Sequence, residues 1–218
     1  MSSVPSISTS NRRERRSVEL RERLFRAALD LFAKKGFSET TVEDITNAAD
    51  VGKGTFFNYF PSKEHIFLAF AEMQVGKLSA YVQEVRDSRQ PMRTLLRDLS
   101  AKMIAEPGRS PAVVRLILQA NLASEPVRLR MLNSHKRANA VLGQLLRMGQ
   151  QRGEIRKDLP AKELALLLRQ SMFGNVLLWS LAPEAPLQQR LDQVLEVLWN
   201  GLAPRNSGRS RSVRTVKG

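Results

Sequence analysis

The sequence predicts an all-α protein with a three-helix N-terminal domain and a larger helical C-terminal domain. Apolar residues recur at three- and four-residue spacing along most of the 218-residue chain, and prolines separate the periodic segments. The stretch 40–63, TTVEDITNAADVGKGTFFNYFPSK, has the layout of a helix-turn-helix: two short helical segments joined by a tight turn. No alternating, β-branched pattern predicts a strand.

The predicted helices follow one another with short connections. The first spans 17–35 and ends at Gly36, which can adopt the left-handed conformation that closes a helix. Two short helices follow, and Ser62, after Pro61, is expected to cap the next one. The remaining helices are expected at 75–88, 92–105, 111–123, 126–151, 161–181 and 187–202.

Composition restricts the classes of protein to which the chain can belong. It contains no cysteine, which excludes disulfides and thiolate metal sites, and no run of 18 uncharged apolar residues predicts a membrane span. The N-terminal residues lack the apolar segment of a secretory signal, so we expect a cytoplasmic protein. His65 and His135 are the only histidines, too few for a histidine-based metal cluster, and we expect neither a metal nor a cofactor.

The first short helix and the turn have identifiable local signals. Thr41 can cap the helix, and Asp44, three residues later, can return the hydrogen bond. Asp50 lies where the chain reverses, and aspartate tolerates a left-handed backbone better than most residues. Gly52 caps the second helix more weakly than a serine would.

The second helix, 53–60, has an unusual outward face. Phe56 and Phe60, at i and i+4, are expected to pack into the core. The opposite face carries Gly54, Thr55, Phe57 and Asn58, with Tyr59 at its margin. A small and largely uncharged face of this kind suits the major groove, where an asparagine can read adenine, apolar groups can contact a thymine methyl, and Lys53 can reach guanine or a phosphate. Lys63, in the first turn of the next helix, suits a phosphate.

The segments TVEDI, AADVGKGTFFNYF and SKEHIF resemble the TetR family of bacterial transcriptional repressors over about residues 20–75. The resemblance implies a homodimeric, ligand-responsive repressor that binds a palindromic operator in double-stranded DNA. It also implies that the DNA-contacting residues are Thr41, Lys53, Gly54, Thr55, Phe57, Asn58, Tyr59 and Lys63.

Three residues depart from the family pattern. Asp50 replaces the usual glycine and Gly52 the usual serine, so we expect a looser turn and a weaker cap. Phe57 stands where tyrosine is common and has no hydroxyl for a phosphate. We expect it to make an apolar contact with DNA, and the alternative is simple packing in the core.

The C-terminal domain is predicted to pair two chains and to bind an effector. Residues 161–181 are apolar on nearly every side, and such a helix must be buried on every side. The dimer interface is predicted to contain Leu168, Ser171, Met172, Gly174, Val176, Trp179, Leu191, Leu195, Leu198 and Trp199. The alternative is that this helix is buried within a monomer.

A small-molecule effector of unknown identity, neutral or anionic rather than cationic, is expected in the core of this domain. Flexible, aromatic and amide-bearing residues could line its site. The candidates are Met103, Leu118, Asn121, His135, Asn139, Met172, Phe173 and Asn175.

The net charge of +14 favours contact with polyanions, although a basic surface also serves solubility. The predicted organisation is a basic disordered arm at 1–16, the DNA-binding domain at 17–65, the effector-binding and dimerisation domain at 66–203, and a basic disordered tail at 204–218. Arg12, Arg13, Arg15 and Arg16 could follow DNA phosphates or remain solvated.

Two other functions can be weighed against a sequence-specific repressor. A non-specific architectural DNA-binding protein would use the same positive charge without base preference. An enzyme is not supported, because the sequence shows no paired carboxylates, no nucleophile beside a base and no nucleotide-binding loop.

Overall fold

The computed structural model describes residues 7–121 and 125–203, and within these ranges the chain forms nine α-helices, one short 3-10 turn (Pro107–Arg109) and no strand. The all-α prediction is therefore confirmed. The helices are α1 (Ile7–Lys35), α2 (Val42–Ala48), α3 (Lys53–Tyr59), α4 (His65–Glu84), α5 (Met92–Ile104), α6 (Pro111–Asn121), α7 (Glu125–Gln151), α8 (Ala161–Leu181) and α9 (Leu187–Leu202).

The first helix is longer than predicted. It begins at Ile7, so residues 7–16 are helical, and the prediction of a disordered arm is wrong for them. No glycine or proline interrupts residues 6–35, and the arginines and glutamates there are good helix formers, so helix propensity outweighed the polar composition. Residues 1–6 and the predicted C-terminal tail, 204–218, lie outside the described ranges.

The N-terminal domain is held together by an aromatic core. Its largest fully buried side chains include Phe32 of α1, Ile45 of α2, Phe56 in the middle of α3 and Phe60 directly after α3. Phe67 of α4 completes the cluster, with its ring centre 5.6 Å from that of Phe32. Helices α2 and α3 are seven residues each, too short to be stable alone. They therefore depend on this core.

Helix α4 belongs to both domains. It runs unbroken from His65 to Glu84, whereas we predicted separate helices, the second at 75–88. Gly76 lies within the helix, and a Cβ atom there would meet nothing within 4 Å. The prediction that Ser62 caps this helix is also wrong: Glu64 is the N-cap residue, and the Ser62 hydroxyl donates to the Glu64 carboxylate instead.

The core of the C-terminal domain lies between α4, α5, α7, α8 and α9. It includes the fully buried Leu95, Leu145, Leu146 and Ile155. Gly149 allows the side chain of Ile155 to pack directly against the backbone of α7, because a Cβ atom at Gly149 would lie 2.5 Å from Ile155 Cγ1. The bounds of α5 to α9 agree with the predicted ones to within a few residues, since each of these five helices has a proline directly before it or within its first turn.

Helix α8 has more apolar surface than one protomer buries. Among the described helices it alone is long and apolar enough to cross a membrane, yet only 28% of that apolar window is buried inside the protomer. Leu167, Leu178 and Leu181 are among its exposed residues. A lipid environment or a second protein surface would cover these residues.

Candidate nucleic-acid interface and internal cavity

The start of α2 is fixed by a reciprocal cap, as predicted. The backbone N–H of Asp44 donates to Thr41 Oγ1 over 3.0 Å, and the backbone N–H of Thr41 donates to Asp44 Oδ2 over 2.8 Å. Lys35 Nζ lies 2.8 Å from the other carboxylate oxygen. The lysine, together with the hydrogen bonds from Thr41, lowers the pKa of Asp44 to about 2. This carboxylate therefore remains charged near neutral pH and keeps Thr41 in place at an exposed helix start.

The turn between α2 and α3 has the predicted left-handed residue. Asp50 has φ of +51°, a conformation that glycine adopts more readily than aspartate. Arg23 of α1 supports the turn, because its Nη2 donates to the carbonyl oxygen of Ala49 over 2.7 Å. Gly52 then caps α3 in an extended conformation and, having no side chain, makes no capping hydrogen bond.

The orientation of α3 agrees with the prediction. Phe56 and Phe60 are buried, whereas Gly54 and Asn58 are exposed and Phe57 is 52% exposed. The interpretation of Phe57 as a core residue is therefore wrong. A Cβ atom on Gly54 would meet nothing within 4 Å, so packing within the chain does not explain the glycine, and its small size leaves α3 open to close approach.

Lys53 and Tyr59 of the predicted contact set are already hydrogen bonded within the chain. Lys53 Nζ lies 2.8 Å from Glu43 Oε2 in an exposed pair, which joins the first turns of α2 and α3 on one side of the domain. Exposed pairs of this kind contribute little stability and can exchange for a phosphate. The hydroxyl of Tyr59 donates to Ser17 Oγ of α1 over 3.1 Å, and Thr55 is half-buried.

Lys63 has a different role from the predicted one. Its Nζ donates to the carbonyl oxygens of Phe37, Ser38 and Thr40 over 2.7, 3.3 and 3.0 Å, and lies 4.4 Å from the centre of the Phe37 ring. An ammonium group has three donors, and all three are used. In this arrangement Lys63 holds the α1–α2 loop, and the phosphate contact that we predicted is not available.

An internal cavity of about 290 Å³ lies in the C-terminal domain between α4, α5, α7, α8 and α9. Of the predicted effector-site residues, Met103, His135, Met172 and Phe173 line it. Most other lining residues are aliphatic, and Phe70, Gln74, Val75 and Leu78 of α4 form one wall. The cavity therefore has a mostly apolar wall with a few polar groups, as small-molecule sites usually do.

The other predicted effector-site residues do not line the cavity. Asn139 is buried and donates through Nδ2 to the carbonyl oxygen of Lys162 over 3.1 Å, which ties α7 to α8. Asn175 donates to the carbonyl oxygen of Ser171, one turn earlier. These amides satisfy backbone groups, a use that residue type alone does not reveal. Leu118 and Asn121 belong to α6, but their side chains lie outside the described part of the chain.

Arg169 is the cavity residue that sequence reasoning missed. It is half-buried on α8, and its Nη1 donates to the carbonyl oxygen of His135 over 2.8 Å. Its Nη2 lies 3.0 Å from His135 Nδ1. Burial lowers the pKa of Arg169, and burial together with the guanidinium charge lowers the pKa of His135. The only sequence signal was a single arginine in the middle of a largely apolar helix.

The predicted dimer interface needs correction, because several of its residues face the core of the protomer. Leu168, Trp179, Leu191 and Leu195 are buried within one chain. Met172 and Val176 line the cavity. Ser171, Gly174, Leu198 and Trp199 keep partial exposure. Since α8 is apolar on both faces, its periodicity could not indicate which face meets its own domain.

The outer surface of α8 and α9 is apolar and has no cover within one described chain. We use the term outer face for Leu167, Ser171, Gly174, Leu178 and Leu181 of α8 together with Val194, Val197 and Gly201 of α9. The members of each helix recur at three- and four-residue spacing, so they form two continuous stripes. Leu178 is 57% exposed and Val197 is 74% exposed.

Known proteins resemble this chain both locally and along most of its length. A family model of bacterial regulatory proteins of the tetR family matches residues 24–70. The HTH-type transcriptional repressor DhaR of Mycobacterium sp. (strain GP1) is 28% identical over 189 residues, which cover 85% of this chain and 93% of DhaR. The HTH-type transcriptional regulator TcmR of Streptomyces glaucescens is 45% identical over 56 residues, 26% of this chain and 25% of TcmR.

A solved structure extends the similarity to the C-terminal domain. Thermus thermophilus FadR, a TetR family transcriptional repressor in complex with lauroyl-CoA, has a TM-score of 0.63 and 26% identity, covering 91% of this chain and all of that one. The two-domain fold and the exposed α3 define a helix-turn-helix DNA-binding transcriptional regulator. The chain is therefore similar to TetR-family regulators, at residues 24–70 through the family model and along most of its length through DhaR and FadR.

The exposed amide of Asn58 gives a test of the α3 surface. Asn58→Ala removes the group that can pair with adenine in the major groove, and such a contact contributes roughly 1–3 kcal/mol of discrimination. We expect the variant to bind the operator and a version with that adenine replaced equally well, in fluorescence anisotropy with single-base operator variants. Asn133→Ala, at an exposed asparagine of α7, is the matched control. Unchanged base preference in Asn58→Ala would contradict the assignment of this face.

Proposed function

We propose that this protein is a cytoplasmic, dimeric transcriptional repressor that binds a palindromic operator and leaves it when a small molecule enters the cavity. Its relatives are transcriptional regulators. The observation that carries the proposal is the exposed, largely uncharged face of α3 beside the capped start of α2. No enzymatic activity is part of the proposal.

The DNA side of the proposal uses groups that are accessible in the structure. Asn58 and Phe57 would reach base edges, and Gly54 would let the backbone of α3 come close to the DNA. Thr41 at the start of α2, together with Lys53 once it exchanges Glu43 for a phosphate, would fix the register on the duplex. Tyr59 and Thr55 lie at the margin of the same surface. Lys63 would act indirectly, by holding the α1–α2 loop.

The outer face supports pairing of two chains. A two-fold axis would bring α8 and α9 of one protomer against the same helices of its partner as a four-helix bundle. Ser171 and Gly174 are small and would permit close approach, while Leu178 and Val197 would supply apolar contact. Pairing would also cover the apolar surface of α8 without a membrane. Two α3 helices held by one bundle could then read two half-sites about 34–36 Å apart, or a multiple of that distance.

Helix α4 offers a route from the cavity to the DNA-binding domain. Its first turns pack in the aromatic core through Ile66 and Phe67, and its middle forms a cavity wall through Gln74 and Leu78. On its other side, Glu72 pairs with Ser134 and Arg137 of α7, with the Ser134 hydroxyl 2.8 Å from Glu72 Oε1. A ligand that binds better when α4 is shifted would change the spacing of the two α3 helices.

Similarity to a ligand-bound relative supports effector binding at this cavity. Thermus thermophilus FadR was solved with lauroyl-CoA, an amphipathic molecule with an aliphatic chain. The cavity here is mostly aliphatic and could take an apolar group of modest size. We therefore propose an amphipathic effector for this protein.

Sequence-selective binding tests the repressor against the architectural alternative. An operator is first selected from genomic fragments retained by the protein, and anisotropy then compares that palindrome with a scrambled duplex at physiological salt. We expect a preference of at least about 10³-fold, because specific complexes typically exceed non-specific ones by that margin. Equal binding to both duplexes would favour the architectural protein and contradict the proposal.

Charge placed on the outer face should separate the two chains. Leu178→Glu would bury a carboxylate against the partner without a counterion, so we expect a monomer by size-exclusion chromatography with light scattering. Operator affinity should fall on the order of 10²-fold, since linkage of two reading modules multiplies affinity by about 10²–10⁴. The control is Leu129→Glu, at a similarly exposed leucine of α7, which should remain a dimer. If Leu178→Glu were still a dimer, the two chains would pair elsewhere.

A further inference from the structure

The inference concerns the chemical class of the effector, and it rests on the proposed role of the cavity. Arg169 brings a guanidinium group to a wall that is otherwise mostly aliphatic. It is half-buried, and its two identified hydrogen bonds go to the carbonyl oxygen and the ring of His135. Among the described residues no carboxylate forms an ion pair with it.

A half-buried guanidinium without a counterion is energetically unfavourable. A guanidinium has five N–H donors in a planar fork, and the two hydrogen bonds to His135 leave the other N–H groups available to a ligand. Helix α4 carries the carboxylate of Glu72, which does not line the cavity and is already paired with Ser134 and Arg137 of α7. The hydrogen bond from Ser134 helps lower the pKa of Glu72, so this carboxylate is charged and engaged by those partners. The described part of the chain therefore supplies the cation of an ion pair but not the anion.

Charge and size limit what could supply the anion. A single cation in an apolar wall matches one negative charge, whereas a dianionic phosphate would leave a buried charge uncompensated. A carboxylate also fits the planar guanidinium through two parallel hydrogen bonds. The cavity volume of about 290 Å³ lies near the lower end of small-molecule sites, so the apolar body must be modest.

We propose that the cavity binds an amphipathic monocarboxylate, whose carboxylate pairs with Arg169 and whose aliphatic or aromatic body lies against α4, α5 and α9. Met172 and Phe173, on the turn after Arg169, contact the part of the ligand next to the carboxylate. Leu78 of α4 and Leu195 of α9 line the apolar part. Binding at this position pushes against α4, the helix that continues into the DNA-binding domain.

The test uses the full-length protein and four ten-carbon probes that differ in the head group: decanoate, 1-decanol, decylammonium and decanoyl-CoA. Binding is followed by calorimetry and by tryptophan fluorescence, since Trp179 packs beside cavity-lining residues. We expect decanoate to bind at least about tenfold tighter than decanol, because hydrogen bonds to charged groups are the stronger ones. Tighter binding of decanol or decylammonium would overturn the proposal. The decanoyl-CoA arm separates a free acid from its thioester, and binding of the thioester alone would also overturn it.

Substitutions of Arg169 test whether its guanidinium is the group that binds the carboxylate of decanoate. Arg169→Met should weaken decanoate at least about tenfold while leaving decanol nearly unchanged. Arg169→Lys keeps the charge but loses the planar fork, so it should bind decanoate with intermediate affinity, and it serves if the methionine variant does not fold. Arg147→Met, at an exposed arginine of α7, is the control. Equal decanoate affinity in folded Arg169→Met, Arg147→Met and the unaltered protein would contradict the role of Arg169, as would equal affinity in Arg169→Lys if only that variant folds.

Anisotropy on the selected operator, in the same samples, separates the two levels of the account. If the protein binds no operator selectively, the repressor proposal fails, whatever the probes do. If it binds the operator and decanoate binds without dependence on Arg169, only the effector inference fails. Release of the operator by decanoate but not by decanol would support both.

Discussion

The burial of Phe56 and Phe60 is the interaction on which the DNA-binding surface depends. Helix α3 has only seven residues and would not persist alone, so its orientation comes from these two aromatic side chains, one turn apart, in the N-terminal core. Once they are buried, helical geometry directs Gly54, Phe57 and Asn58 outward. The fold of the N-terminal domain and the exposure of its DNA-binding surface are thus two consequences of one packing arrangement.

In the C-terminal domain, a single helix serves two purposes through opposite faces. The inner face of α8 carries Arg169 and Met172 to the cavity, and its outer face carries Leu167 and Leu178. Helix α4 joins the cavity wall to the aromatic core of the N-terminal domain. Helices α4 and α8 therefore connect the cavity with the N-terminal domain and the outer face, and a ligand that favours another position of α4 would alter the spacing of the two α3 helices if the chains pair as proposed.

Local sequence signals predicted most of the N-terminal domain, and long-range contacts explain the features that these signals missed. The capping box at Thr41 and the left-handed Asp50 depend on near neighbours, so the sequence revealed both. The role of Lys63 depends on carbonyl groups more than twenty residues away, and no local pattern indicates them. Both the inner and the outer face of α8 carry apolar residues, so the residues predicted to pair, such as Leu168, included core residues. The role of Arg169 depends on the cavity that α4, α5, α7, α8 and α9 form, and no local pattern predicts that cavity.

The most direct test of the central claim is chemical protection of the operator. Dimethyl sulfate methylates guanine N7 in the major groove and adenine N3 in the minor groove, so it distinguishes the two grooves. The account predicts that bound protein protects guanine N7 in two clusters on one side of the duplex, about 10–10.5 base pairs apart or a multiple of that spacing. It also predicts that Asn58→Ala weakens this protection. Protection confined to adenine N3, or spread without regular spacing, would contradict it.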